Sequence, residues 1–352
     1  MRRARCCVPP GSPVTDIPAG PHWLYEEGIG EARAALVQGG RILEAQIERE
    51  DKRARAGGVY AGRLTHTLIV RKRGIARLNS GEEVLIEPIP PKVAEGATVR
   101  VEVLREAIAE PGLEMGREKL ARGRIAVPGL VAGPGPSLLQ RIDETGLPIV
   151  PCPAHEEDRL EAAGWSELLA EAMTGEVGRE DAALRIFPTP AMTLIDVDGA
   201  APPAQLGPKG AKLAAQAIRR MGITGSVGID LPTMNNKDER LIAAAQIDKV
   251  LPQPFERTAV NGFGFVQIIR KRERASLIEL LRADPVRTAA MAALRAAERH
   301  HGAGAVTLTL APAVARDIRA HAEWIRLLER RRGGTVTITA DEALVPGVHH
   351  VH

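Results

Sequence analysis

The sequence predicts a multidomain protein of mixed class, α/β (α+β multidomain), and three observations support this prediction. Strand patterns alternate with helix patterns from 184 to 269, which favours a layered sheet covered by helices. The stretch from 55 to 109 contains only short strand patterns separated by turn residues, as in a small barrel. The length of 352 residues corresponds to roughly two or three domains.

The composition is that of a globular protein with a small excess of positive charge. Hydrophobic residues make up 44%, charged residues 26% and aromatic residues 3%, and the formal net charge is +3. This charge is compatible with a polyanionic partner, and the few aromatic residues predict that base stacking contributes little to binding one. The three cysteines form no disulfide framework, and no apolar run is long enough to span a membrane. We therefore predict a cytoplasmic protein without a membrane partner.

The N-terminal half contains a leader, a hairpin, a barrel and a linker. Residues 1–21 are rich in proline and glycine and predict a disordered leader. Within 22–50, Gly39 and Gly40 separate two strand patterns and indicate a hairpin. Strand patterns within 51–110 predict a closed barrel of the OB type, a common oligonucleotide-binding scaffold. The glycine- and proline-rich range 111–155 predicts a linker.

The C-terminal half contains helix patterns between shorter strand patterns. The range 156–190 predicts a helix at 156–173 and a strand at 184–187, and 191–283 continues as strand, helix, strand, helix, strand. The range 284–352 begins with Asp284 and Pro285, a favourable helix start, and predicts a small βαβ-like domain with one helix at 312–330. The terminal histidines at 349–352 predict a frayed end.

Two apolar strand patterns end in carboxylates. Side chains alternate between the two faces of a strand, so Asp196 and Asp198 share one face while Ile195 and Val197 point into a core. Asp230 ends the next strand pattern along the chain in the same way. A single aspartate at a strand end is more often a turn former, but three at this spacing indicate the hard oxygen ligands that Mg²⁺ prefers.

The residues around these acids resemble the catalytic domain of the ribonuclease E/G family. The resemblance is carried by residues 193–198, the helix ending near 219–222, residues 225–230, and the run 261–265 with Arg270 and Arg272 behind it. It implies endonucleolytic cleavage of single-stranded RNA, with Mg²⁺, or Mn²⁺ in its place, bound by Asp196 and Asp230. It also implies a ribonuclease H-like subdomain at 22–50 and 156–190, an S1-like barrel at 51–110, and a DNase I-like catalytic domain at 191–283.

The sequence departs from the family pattern at several positions. Asp198 stands where the family usually has asparagine, and its expected catalytic role is to orient or deprotonate the attacking water. Thr233 stands where the family has a further acid. The zinc-binding C-x-x-C element is absent, so no structural zinc is expected, and no segment resembles the family's sensor for an RNA 5′ monophosphate. A homodimer is compatible with the sequence.

The resemblance also suggests which residues contact RNA. Tyr60 and Arg63 lie in the pattern that resembles the opening strand of the S1 domain, and Arg77 stands where that domain presents a stacking phenylalanine. Lys212, Arg270 and Arg272 are expected to hold phosphates beside the cut. The expected partner is single-stranded RNA, such as an rRNA precursor or an mRNA.

Two other functions remain open from the sequence. The first is a non-catalytic RNA-binding relative, and the second is a metal-dependent phosphodiesterase that acts on DNA or small nucleotides. The presence of both Asp196 and Asp230 favours the nuclease over the first alternative, and the barrel and basic clusters favour a polymeric substrate over the second.

Overall fold

A computed structural model describes residues 18–51, 53–110, 118–179 and 182–352. The strands are, in chain order, β1 (His22–Glu27), β2 (Glu31–Gln38), β3 (Arg41–Arg49), β4 (Val59–Ile69), β5 (Arg73–Leu78), β6 (Glu83–Ile86), β7 (Thr98–Arg105), β8 (Ile108–Ala109), β9 (Glu118–Lys119), β10 (Ala121–Ile125), β11 (Ile149–Pro151), β12 (Glu176–Arg179), β13 (Ala182–Pro188), β14 (Thr193–Asp198), β15 (Gly225–Asp230), β16 (Glu256–Arg257), β17 (Phe265–Arg270), β18 (Val306–Leu310), β19 (Val336–Ala340) and β20 (His349–Val351). The helices are α1 (Leu138–Asp143), α2 (Arg159–Ala162), α3 (Trp165–Thr174), α4 (Pro203–Arg220), α5 (Lys237–Val250), α6 (Leu277–Ala283), α7 (Pro285–Arg299), α8 (Pro312–Arg319) and α9 (Ala322–Arg332). The prediction of a mixed helix and strand class is confirmed. Residues 1–17 of the predicted leader lie outside the described residues.

Five strands close a barrel in the order β10-β6-β5-β4-β7. β10 and β6 run parallel, and the other neighbouring pairs are antiparallel. Alternate side chains point inward, so Leu64, Ala76, Val84 and Val101 are fully buried in a core that belongs to the barrel.

The range 111–155 differs from the predicted linker. Its described residues contain β9, β10, α1 and β11. β10 closes the barrel beyond the predicted boundary at residue 110, and β11 pairs in parallel with β1. Both strands are short and pair with segments that are distant in the sequence. Because the surrounding residues are rich in glycine and proline, the local pattern did not predict these strands.

The first sheet has the order β11-β1-β2-β3. The predicted hairpin between β2 and β3 is confirmed, and its two glycines have φ of 57° and 70°, which their type of tight turn requires. A strand at β1 was not predicted, because the sequence pattern there is short.

A second sheet has the order β12-β13-β14-β15-β17-β16. β14 and β15 run parallel and are joined by α4, while every other neighbouring pair is antiparallel. The inner face carries Ile195, Val197, Val227 and Ile229, which share one core with α4, α5 and the first sheet. The outer face is open to solvent, and the acidic strand ends lie on it.

The C-terminal segment forms a three-stranded sheet, β19-β18-β20, covered by helices. Its core also includes Ile29 from the turn between β1 and β2. The helix predicted at 312–330 is interrupted between α8 and α9, and the one predicted at 156–173 is interrupted at Gly164, where φ is 94°. The prediction of a frayed C-terminus is wrong, because β20 pairs antiparallel with β18. Within the ranges described, no helix is both long and apolar enough to cross a membrane.

Candidate functional site

Asp196 and Asp230 are direct neighbours on the outer face of the second sheet. They are paired in register between the parallel strands β14 and β15, which puts their side chains on the same face, on strands about 4.8 Å apart. Along both strands, buried residues alternate with outward-facing ones, as the sequence pattern predicts. Asp198 is the next outward-facing residue along β14 and is exposed. The structure therefore brings the three predicted acids onto one open surface.

Arg185 joins these acids from the neighbouring strand, β13. It pairs in register with Asp196, and its Nη1 lies 2.9 Å from Asp198 Oδ2 and 3.9 Å from Asp196 Oδ2. All three side chains are about half exposed. Arg185 is not among the site residues predicted from the sequence. Its position one residue from the buried Leu184 and Ile186 indicated an outward side chain, but only the register puts it beside Asp196.

The acid pair fits a Mg²⁺ ion. Mg²⁺ keeps several water ligands and needs only one or two carboxylates from the protein, which Asp196 and Asp230 supply. Two neighbouring carboxylates also repel each other, so a cation between them is favourable. In the described ranges, no group of three or more histidine, cysteine, aspartate or glutamate side chains is arranged around one point. Asp198 has the closer contact with Arg185, so Asp196 and Asp230 are the two candidate ligands.

Arg270 and Arg272 lie away from the acids. Arg270 pairs in register with Gly225, whereas Phe265 of the same strand pairs with Asp230. Arg270 is five residues from Phe265, which corresponds to about 17 Å along the strand. Arg270 faces inward and donates to the carbonyl oxygen of Ile223 at 2.8 Å, and burial lowers the pKa of its guanidinium. Arg270 was expected to hold a phosphate beside the cut, but it lies on the other face of the sheet and far from the acids.

The other two phosphate-binding candidates of this domain are also separate from the acids. The Arg272 guanidinium forms an ion pair with Glu279 at the start of α6. Lys212 is exposed on α4, the helix that covers the opposite face of the sheet. These residues are close to the acidic strands in sequence, but sequence proximity does not distinguish the two faces of a sheet.

The barrel candidates have two different environments. The Tyr60 hydroxyl accepts hydrogen bonds from the Arg55 N–H at 2.8 Å and the Gly135 N–H at 3.4 Å, so this side chain holds two chain segments together. Arg63 and Arg77 are exposed register partners on β4 and β5. The Arg77 guanidinium also forms an ion pair with Glu83 at 2.7 Å. Arg63 and Arg77 therefore form a small basic surface on the outside of the barrel.

The barrel approaches the second sheet through β8 and β9. The Lys119 ammonium donates to the carbonyl oxygen of Pro190, in the turn between β13 and β14. Ala109 and Lys119 line a small cleft together with Pro190 and Arg272. The two-stranded sheet of β8 and β9, which lies between barrel strands β7 and β10 in the chain, thus contacts the turn at the Phe187 end of the acid-bearing sheet.

The chain matches no family model and no curated protein in the comparisons made with it.

Proposed function

We propose that this chain is a Mg²⁺-dependent endoribonuclease that cleaves single-stranded RNA, such as an rRNA precursor or an mRNA. The observation that carries the proposal is the register pairing of Asp196 with Asp230 on an open sheet face. A pair of carboxylates that no described helix or strand covers suits a polymer that passes over the surface.

The strand order of the barrel supports a polymeric substrate. Four antiparallel pairings and one parallel pairing, of β10 with β6, close this five-stranded barrel. In this proposal it is an OB-type domain, a fold that binds oligonucleotides. In this proposal the DNase I-like catalytic domain is 191–283, with β14 to β17 and α4 to α6, and the ribonuclease H-like subdomain is 22–50 with 156–190. The second sheet joins the two, because β12 and β13 of 156–190 pair with β14. In this proposal RNA bound at the barrel reaches the acid-bearing sheet beside β8 and β9, where Lys119 contacts the turn at Pro190.

The proposed chemistry divides the work between a few side chains. Asp196 and Asp230 hold the ion, and a bound Mg²⁺ supplies polarisation of the phosphate and of a water molecule. Asp198 accepts a hydrogen bond from that water on the same face of β14, and orients it. Arg185 contributes positive charge to the phosphate when the substrate replaces its contacts with the acids.

The test is cleavage of a labelled single-stranded RNA by Asp196→Asn and Asp230→Asn. Each variant loses one of two carboxylate ligands, so we expect the rate in Mg²⁺ or Mn²⁺ to fall at least about a hundredfold while the fold and RNA binding remain. Asp248→Asn is the control, because Asp248 lies on α5 and pairs with Arg257 on the other side of the sheet. Wild-type rates in either variant would refute the assignment.

A non-catalytic RNA-binding relative is the second candidate function, and one observation favours it. Arg185 already pairs with Asp198 and lies within 3.9 Å of Asp196, so the acids have a counterion without a metal. RNA binding by the wild-type chain with no cleavage in Mg²⁺ or Mn²⁺ would establish this alternative. Cleavage of an all-DNA strand at the same rate would instead support the phosphodiesterase on DNA, while the open face disfavours a small nucleotide, which needs a concave site.

A further inference from the structure

An apolar row crosses the outer face of the second sheet beside the acids. Phe187 on β13, Leu194 on β14 and Gly228 on β15 are paired in register, one outward-facing position along the strands from Asp196 and Asp230. Phe187 is 51% exposed and Leu194 is 38% exposed. Outward-facing positions on one strand are about 6.5 Å apart, so this row is adjacent to the acid pair.

Phe265 extends the row from the next strand. It pairs in register with Asp230, but its ring lies over Gly228. A Cβ atom added to Gly228 would lie 2.6 Å from Phe265 Cζ and 3.1 Å from Leu194 Cδ2, so both side chains meet above this glycine. Any larger residue at position 228 would displace the ring. Phe187, Leu194 and Phe265 therefore form a strip, the aromatic strip, along one side of the carboxylates.

The aromatic strip contains a large share of the phenylalanines of the chain. There are four in the sequence. Phe187 and Phe265 belong to the strip, and the 82% exposed Phe263 lies in the turn just before β17, on the other side of the acid row. Phe255 packs partly buried against the core. Although the aromatic content of the whole chain is low, aromatic rings are concentrated locally around the acids.

The surroundings of the strip favour unpaired bases over a protein as its occupant. A protein partner that covered the strip would also desolvate the charged row of Arg185, Asp196 and Asp230, which costs free energy unless each charge is paired again. A nucleotide presents an apolar base face and a charged phosphate side by side, which matches a ring next to an arginine and a cation-binding acid pair. Aromatic side chains on an open sheet bind bases in this way in other RNA-binding folds.

We propose that the aromatic strip is the base-binding platform for the nucleotides next to the cut. Its rings stack on unpaired bases while the adjacent phosphate lies at Asp196 and Asp230. This proposal rests on the proposed function, because it places the phosphate of the same RNA at the acid pair. It predicts that the enzyme excludes duplex RNA, in which the base faces are stacked on each other.

The test measures RNA binding without metal, so that it does not depend on cleavage. The ligands are a short single-stranded RNA and an RNA of the same length whose central residues are abasic. Phe187→Ala removes a half-exposed ring that contributes little to the core, and we expect it to weaken binding of the complete RNA about fivefold or more. Binding of the abasic RNA should change less than twofold. Phe187→Trp should restore binding of the complete RNA.

Leu241→Ala is the matched control, because Leu241 is 55% exposed on α5, on the opposite side of the sheet. It should leave both affinities unchanged. Equal affinities of the wild type and Phe187→Ala for the complete RNA would overturn the proposal, as would an equal loss with the abasic RNA. Concentration-dependent dimers that Phe187→Ala abolishes would assign the strip to a second copy of the chain and overturn it too. Full cleavage by Asp230→Asn would refute the nuclease assignment alone, because the binding measurement uses no metal.

Discussion

Arg185 determines the local charge at the acid pair when no metal is present. It is half exposed and contacts Asp198 at 2.9 Å, so its interaction with the acids is a surface ion pair. Such pairs contribute up to about 1 kcal/mol, which is enough to affect binding of a cation but not the fold. In the proposed metal site the guanidinium, 3.9 Å from Asp196, would compete with Mg²⁺ for that carboxylate.

The variant Arg185→Gln should bind Mg²⁺ about two- to fivefold more tightly in the absence of RNA. The change removes the competing positive charge and retains a hydrogen-bond donor, and up to about 1 kcal/mol corresponds to this factor. Isothermal titration of the free protein with Mg²⁺ measures the effect. Arg257→Gln, which removes a comparable surface pair with Asp248, should leave the affinity unchanged. Unchanged or weaker Mg²⁺ binding by Arg185→Gln would contradict the competition.

The acid-bearing strand β14 is positioned by close contact with α4. A Cβ atom added to Gly210 of α4 would lie 2.3 Å from Val197 Cγ1, a distance that no real side chains keep. Val197 lies between Asp196 and Asp198 on β14, so the helix rests directly behind the acids. A glycine at this position in the helix is explained by this contact, although it lowers helix propensity.

We expect Gly210→Ala to lower the free energy of unfolding by about 1–2 kcal/mol. Overpacking in a core costs about 1–3 kcal/mol, and the better helix propensity of alanine offsets up to about 1 kcal/mol. The double variant Gly210→Ala with Val197→Ala should lose less stability than the sum of the two single variants, because it provides room for the new methyl group. Urea unfolding measures the free energy of unfolding of the two single variants and the double variant. Gly178→Ala, which adds a methyl group into open space, should change stability by less than about 0.5 kcal/mol, and an equal loss there would contradict the packing argument.

At the scale of the whole molecule, one buried carboxylate joins the first sheet to α7, two segments that are far apart in the sequence. Glu26 on β1 is 4% exposed and contacts Arg33 as well as Arg295 and Arg299 of α7. Arg295 Nε and Arg299 Nε each lie 3.0 Å from a Glu26 oxygen. Burial raises the pKa of Glu26, but the three guanidinium groups lower it by a larger amount, so the pKa lies below its ordinary value. The charged form is thus stabilised in the folded protein.

This carboxylate should make stability depend on pH. A lowered folded-state pKa contributes stability that is complete above the unfolded-state value of about 4.5 and is lost as pH falls through the folded-state value. Glu26→Gln should lose about 3 kcal/mol at pH 7, because it removes the buried carboxylate that three guanidinium groups share and leaves only Glu31 and Asp158 to pair with them. Urea unfolding from pH 7 down to pH 3 measures the loss.

The difference in stability between the wild type and Glu26→Gln should shrink below about pH 4.5, since protonation removes the same charge from the wild type. Glu83→Gln, which removes the exposed partner of Arg77, should cost less than about 1 kcal/mol at every pH. A pH-independent difference at Glu26 would mean that the carboxylate is not the group that titrates.

Local sequence patterns determined the class of the protein, most helices and strands, and the outward direction of Asp196, Asp198 and Asp230. Alternation along a strand is a local property, because each side chain points to the face opposite its neighbours. The strand patterns of β4 to β7 likewise indicated the barrel, and Gly39 and Gly40 indicated the first hairpin. These predictions required no knowledge of which segments pair.

Only the tertiary structure decided which side chains are neighbours. The pairing of Asp196 with Asp230, the approach of Arg185, and the aromatic strip all depend on strand register across β13, β14, β15 and β17. The same register put Arg270 on the opposite face and far from the acids, although it is close to Phe265 in sequence. Register is set by the packing of distant elements, such as α4 against Val197, and by a choice of hydrogen-bond partners that a single strand does not encode.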